Sequence, residues 1–276
     1  MLEIERWAGA EASVNSWLIH DDESTLVIDV LRNSAEATAL ADHLERSGRR
    51  VSSVLVTHGH PDHFIGLGVI AARFPDARLL VATDDVRASI IGFASWMTSV
   101  GWLEAEPHMK PRSDDHRDGF DYARLVTVSG SSIQLDGGET VELHVDHPAN
   151  ECDVMTTLSV PAANAYFPAD LLYVGVHSWQ GPDVDRHKIE AWIATVERLA
   201  AELPDDVRVF PGHGPETGVG GFHEMAEYLR HFLSATELPT TRAAATEAVT
   251  ARYPDHEQAE FLLAMSVDHH VPETGD

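Results

Sequence analysis

Only one cysteine occurs among the 276 residues, Cys152, so no intrachain disulfide forms and the fold does not depend on an oxidising compartment. Lysine is nearly missing as well. Lys110 and Lys188 are the only two, and Lys and Arg together number 19 against 45 Asp and Glu. The resulting formal charge of −26 repels phosphate backbones and argues against a nucleic-acid partner. No stretch approaches the ~20 apolar residues of a membrane span, so a transmembrane chain is excluded. With 43% hydrophobic and 23% charged residues the balance is that of an ordinary globular protein, neither collagenous nor disordered. Residues Met1 to Ala12 carry Glu3, Glu5 and Arg6 where a signal peptide would place a basic end and an apolar run, which predicts a cytoplasmic location. There is no Gly-x-Ser-x-Gly elbow, no P-loop and no Gly-x-Gly-x-x-Gly fingerprint.

What the chain has in quantity is histidine, 17 residues, and neutral imidazole is the commonest transition-metal ligand near neutral pH. The patterning alternates between strand and helix. Val14 to Ile19 and Thr25 to Ile28 read as paired strands about a polar turn. Ala37, Leu40, Ala41 and Leu44 mark one helical face, with Ser34 placed to cap it and Gly48 to end it. A buried strand is expected at Val51 to Val56, a helix at Gly66 to Phe74 and a strand at Arg78 to Val81. Further strands are expected at Ser132 to Leu135, Thr140 to Val145, Val154 to Val160 and Ala165 to Phe167, then a helix at Arg186 to Leu203 and a strand at Val207 to Phe210. The segment of about 84–121 has a helical first half and a loop second half. Its Phe93, Trp96, Met97 and Trp102 read first as core packing and second as pocket lining.

The strand ending at Val56 runs directly into Thr57-His58-Gly59-His60-Pro61-Asp62-His63. Alternate residues of an extended segment point the same way, so the spacing allows His58 and His60 to converge on one ion and Asp62 and His63, beyond the turn at Pro61, to face a second, with a solvated His-rich loop as the competing reading. This His-x-His-x-Asp-His string resembles the signature of the metallo-β-lactamase fold superfamily of metal-dependent hydrolases. The resemblance extends over roughly residues 13 to 235 and takes in His147 of Val145-Asp146-His147-Pro148, Asp170 of Phe167-Pro168-Ala169-Asp170 and His213 of Pro211-Gly212-His213-Gly214.

The resemblance implies a four-layer αββα sandwich, an α/β fold of two mixed β-sheets with helices on the outer faces. It implies one domain over residues 1–276, a lid insertion at about 84–121 and a helical C-terminal extension at about 221–270. It also implies two divalent metal ions, Zn²⁺ first with Mn, Fe or Co as alternatives. His58, His60 and His147 would hold one, Asp62, His63 and His213 the other, and Asp170 would bridge them. Asp62, Asp170 and Tyr173 are the residues it points to for catalysis. A Tyr three residues beyond the bridging Asp resembles the lactone-hydrolysing branch, with a core or rim Tyr as the competing reading. The chain departs from the family in having Asp-His-Pro around His147, and Pro-Ala rather than Gly before Asp170. His144 is three residues from His147 and would face the opposite side of a strand. Cys152 falls at no ligand position, Asp29 is a candidate to orient a ligand loop, and His177 and Trp179 are candidate substrate contacts.

The function expected is hydrolysis of a small-molecule ester or lactone by a metal-bridging hydroxide. The alternatives are a β-lactamase-like or other amide or thioester hydrolase, a mononuclear iron dioxygenase on the same fold, and a non-enzymatic metal scaffold. Neither nucleic acid nor membrane is an expected partner, and a homo-oligomer is left open.

Overall fold

The structure, a computed structural model, describes residues 2–273. They form two compact units, residues 2–145 with 154–165, and residues 146–153 with 166–273. The strands fall into two β-sheets with helices between them in sequence, which is the α/β class expected. No helix among the described residues is long and apolar enough to cross a membrane.

The first unit opens with β1 (Glu3–Ala8), β2 (Asn15–His20) and β3 (Ser24–Ile28), antiparallel neighbours with Trp17 opposite Ile28. The sheet then turns parallel through β4 (Arg50–Val56), β5 (Arg78–Val81) and β6 (Leu125–Thr127). The crossovers are α1 (Ser34–Ser47), the pair α2 (Pro61–Phe64) and α3 (Leu67–Arg73), and α4 (Asp84–Ser99). Helix α1 buries Ala37, Leu40, Ala41 and Leu44, and each fully buried leucine contributes about 1.5–3 kcal/mol. Its cap is Asn33 rather than Ser34: the Asn33 side chain accepts from the Glu36 backbone N–H, while Gly48 ends the helix at φ 70° as expected. Strand β6 has no counterpart among the sequence expectations, because three residues are too few to show alternation. Next come β7 (Ser132–Gln134), β8 (Thr140–His144) and β9 (Thr157–Val160), antiparallel in that order.

The second unit contains β10 (Ala165–Tyr173), α5 (Arg186–Glu202), β11 (Arg208–His213), α6 (Gly220–Ala235), α7 (Arg242–Arg252), a π-helical turn at Ala259–Leu263, and α8 (Ala264–His270). Asp185 caps α5, and Trp192 on its buried face donates to the Leu171 carbonyl at 2.9 Å, which seats the helix on β10. Strand β10 is longer than expected, continuing past Pro168 to Tyr173 with every residue buried. Proline lacks a ladder donor, and the pattern predicts a strand only as far as Phe167. The chain instead passes through Ala169 in the left-handed region, φ 48°, and resumes the strand.

Candidate metal centre

Strands β3 and β4 run parallel, so their C-terminal ends finish side by side, the usual place for a site in a parallel sheet. Asp29 follows β3 at φ 59° and its carboxylate gathers three donors. Thr57 gives its backbone N–H at 2.8 Å and its hydroxyl at 2.9 Å, and His63 gives Nδ1 at 2.8 Å. An ionised carboxylate only accepts, so the proton of His63 sits on Nδ1. That leaves Nε2 as the lone-pair nitrogen, 3.8 Å from the Asp62 carboxylate.

The ring of His58, fully buried, lies 4.8 Å from that of His60 and 4.1 Å from that of His63. His58 and His60 offer ligand atoms within 4.8 Å of each other, and so do Asp62 and His63. Pro61 starts α2 rather than a plain turn, which puts Asp62 and His63 on one short helix. Gly59 is required by packing: a Cβ there would collide with Ser89 of α4. Asp29→Ala removes the acceptor that sets the His63 tautomer, and weakens metal binding by about tenfold, measured by titration with a metal-buffered indicator.

In the second unit Asp170, 1% exposed, is the centre of a comparable arrangement. Its Oδ2 accepts from the Tyr173 hydroxyl at 2.9 Å and lies 3.2 Å from His213 Nε2. The Tyr173 ring stacks on His213, centroids 4.2 Å apart and 9° from parallel. The left-handed Ala169 turns Asp170 into this position, at a backbone cost that glycine would avoid. Gly212 on β11 makes the room, since a Cβ there would collide with the Asp170 carboxylate.

Glu151, unselected by the sequence reading, belongs to the same group. It is 2% exposed, its Oε1 is 3.4 Å from the Tyr173 hydroxyl, and it offers a carboxylate oxygen within 4.8 Å of one from Asp170. His147 lies four residues earlier in the same segment, half-buried. His144 is engaged elsewhere, its Nε2 2.9 Å from Ser159 Oγ across the β8–β9 pair. Cys152 is half-buried and forms no disulfide.

His177, fully buried, meets the Tyr228 hydroxyl through Nδ1 at 3.0 Å and stands 5.3 Å from the His256 ring. Tyr228, His256, Tyr173 and Tyr253 help line a cavity of about 230 Å³. Burial, aided by the charge of His256, pushes the His177 pKa down to about 4, and burial also lowers that of His256. The unfolded chain takes up a proton at His177 near pH 6.5 that the folded chain refuses until about pH 4. Stability therefore falls as pH drops through that window, and His177→Gln flattens the dependence of the urea midpoint on pH between those limits.

On α4, Met97 is buried with Val86, Ile90 and Ala94, as core packing requires. Trp96 and Trp102 correct the core reading, being 46% and 52% exposed.

Residues 9–213 match the family model of the metallo-beta-lactamase superfamily. A probable metallo-hydrolase of Streptococcus pyogenes serotype M6 is 22% identical over 79% of this chain and 87% of its own length. A hydroxyacylglutathione hydrolase of Stenotrophomonas maltophilia is 36% identical over 69 residues, 25% of this chain and 26% of its own length, so the chain spans about a quarter of that relative. Among solved structures, a metallo-beta-lactamase family protein from Thermus thermophilus superposes with a TM-score of 0.65 at 15% identity, over 98% of this chain and 92% of that one. That likeness establishes a shared fold. With the family match covering both the His58 to His63 string and the strand that ends at His213, the chain belongs to the metallo-beta-lactamase superfamily.

Proposed function

We propose that the chain is a metal-dependent hydrolase of a small ester or lactone, acting on a small-molecule substrate in the cytoplasm. It would hold two divalent ions, Zn²⁺ first with Mn, Fe or Co as alternatives, through His58, His60, Asp62, His63, His147, Asp170 and His213. The observation that carries this reading is the preparation of the ligands. Asp29 fixes the tautomer of His63, and Tyr173 and Gly212 fix the place of Asp170 beside His213. Imidazole and carboxylate donors, buried and held by such partners, fit these metals. When bound, the ions supply hydroxide at neutral pH and polarise the substrate carbonyl oxygen.

The remaining chemistry falls to the chain's own side chains. Tyr173 holds a proton on its hydroxyl, hydrogen-bonded to Asp170 Oδ2, within the same cluster as His213. From there it can donate to a carbonyl oxygen gaining charge or to a departing alkoxide. Asp170 and Glu151 bring two buried carboxyl groups together, oxygen donors of the kind that suit a divalent cation.

The runner-up is a thioester substrate, supported by the hydroxyacylglutathione hydrolases among the relatives. Metal analysis of purified protein, followed by a panel of esters, lactones, S-acyl thioesters and β-lactams, tests both. Two zinc ions per chain with lactone or ester turnover agrees with the proposal. A single iron with oxygen consumption overturns it, and preference for the thioester replaces it by the runner-up.

A further inference from the structure

Helix α4 has a second apolar stripe besides its core face. Ser89, Phe93, Trp96 and Val100 follow one another at helical spacing along the face next to it, with no charged residue among them. The inner end of the stripe is built into the His58 to His63 string. Ser89 occupies the space that a Cβ on Gly59 would need, and Phe93 meets the His60 ring edge-to-face at 5.9 Å. From Phe93 the rings continue to Trp96 at 5.3 Å and from Trp96 to Trp102 at 4.9 Å, both edge-to-face. The outer end stands in water: Trp96, Val100 and Trp102 are 46%, 47% and 52% exposed. Contiguous apolar surface of this kind is costly to leave hydrated and marks a place where something apolar binds.

We infer that this ladder of rings seats the acyl chain of the substrate, so that the enzyme prefers neutral esters or lactones carrying an alkyl tail. The inference rests on the hydrolase reading above. Its occupant is identified by three features. The ladder begins at His60, so a tail lying along it belongs to a molecule whose polar end is at the His58 to His63 string. The stripe offers no charge to pair with a charged tail. A second copy of the chain is disfavoured as the occupant because each copy carries −26.

The test uses 4-nitrophenyl acetate, butanoate, hexanoate, octanoate and decanoate with the metal-loaded enzyme. Wild type shows kcat/KM rising about two- to fourfold per buried methylene, chiefly through KM. In Trp96→Ala and Trp102→Ala the octanoate-to-acetate ratio of kcat/KM falls about tenfold, and Trp96→Phe restores most of it. Independently of hydrolysis, 1-decanol shifts the tryptophan fluorescence of wild type to the blue, and the shift is lost in the double variant. Failure to cleave any ester sinks the ester and lactone reading, while the decanol arm still decides the ladder. A flat chain-length profile in wild type, or an unchanged ratio in both Trp→Ala variants, overturns the inference. So does a concentration-dependent dimer in sedimentation that Trp96→Ala dissociates without altering the ratio, since the patch then belongs to a second copy.

Discussion

Asp170→Ala lowers turnover by about a thousandfold or more, the equivalent of about 4 kcal/mol of transition-state stabilisation, whereas Cys152→Ala changes it by less than about twofold. The asymmetry follows from what each side chain touches. Asp170 is 1% exposed, accepts from Tyr173 at 2.9 Å and lies 3.2 Å from His213 Nε2, so it serves as the common acceptor of its unit's cluster. Without it the Tyr173 hydroxyl loses its nearest acceptor, and the proposed bridging anion is gone with it. Cys152 is half-buried, and its backbone N–H is 3.5 Å from Asn150 Oδ1. Asp170→Asn, which keeps the shape and removes the charge, loses nearly as much and separates the electrostatic role from a cavity effect. Metal content and thermal midpoint are measured on the same preparations. Equal losses in Asp170→Ala and Cys152→Ala at matched metal content would remove Asp170 from the site.

The parts of this site that sequence reveals are those where the chemistry is packed into few residues. His58, His60, Asp62 and His63 occupy six positions after an apolar strand, and the string is recognisable because no packing requirement explains it. Asp29 was legible only as a candidate. Its three donors depend on the parallel register of β3 with β4 and on its own positive φ, neither of which leaves a mark in residue type. Glu151 left no usable signal: it sits in a segment without regular structure, and the burial of an acid has no periodicity to betray it.

The tryptophans of α4 illustrate a different limit. A helix with apolar residues at Val86, Ile90, Ala94 and Met97 and also at Phe93, Trp96 and Val100 has two stripes. Spacing alone does not say which one the sheet covers. Burial resolves it in favour of the first, and of the second it leaves Trp96 and Val100 to solvent while Phe93 is half-buried.

Tyr173→Phe lowers turnover of lactones and alkyl esters by roughly ten- to a hundredfold with metal content unchanged. In acyl transfer the transition state places negative charge on the former carbonyl oxygen and then on the departing alkoxide. The Tyr173 hydroxyl, held at 2.9 Å from Asp170 and stacked over His213, is the neutral donor of that cluster. A preorganised donor of this kind is typically worth about 2.7–4 kcal/mol, and a metal sharing the same charge reduces its part. Phe keeps the ring and so keeps the stacking on His213, which confines the change to the hydroxyl.

The two roles open to that hydroxyl differ in their dependence on the leaving group. Proton donation to the departing oxygen matters most for poor leaving groups, so the loss should be largest for alkyl esters and lactones and small for nitrophenyl esters. Contact with the carbonyl oxygen gives a uniform loss across the series. The placement of Tyr173 against the anionic Asp170 favours the first, because a hydroxyl hydrogen-bonded to a carboxylate transfers its proton only where a more basic oxygen develops, and an alkoxide is that oxygen. Plotting log kcat/KM against leaving-group pKa for both proteins measures it: the slope for Tyr173→Phe should be the steeper. Parallel lines assign Tyr173 to the carbonyl oxygen, and coincident lines return it to a packing residue and weaken the lactone and ester reading against the thioester, whose leaving group needs no proton.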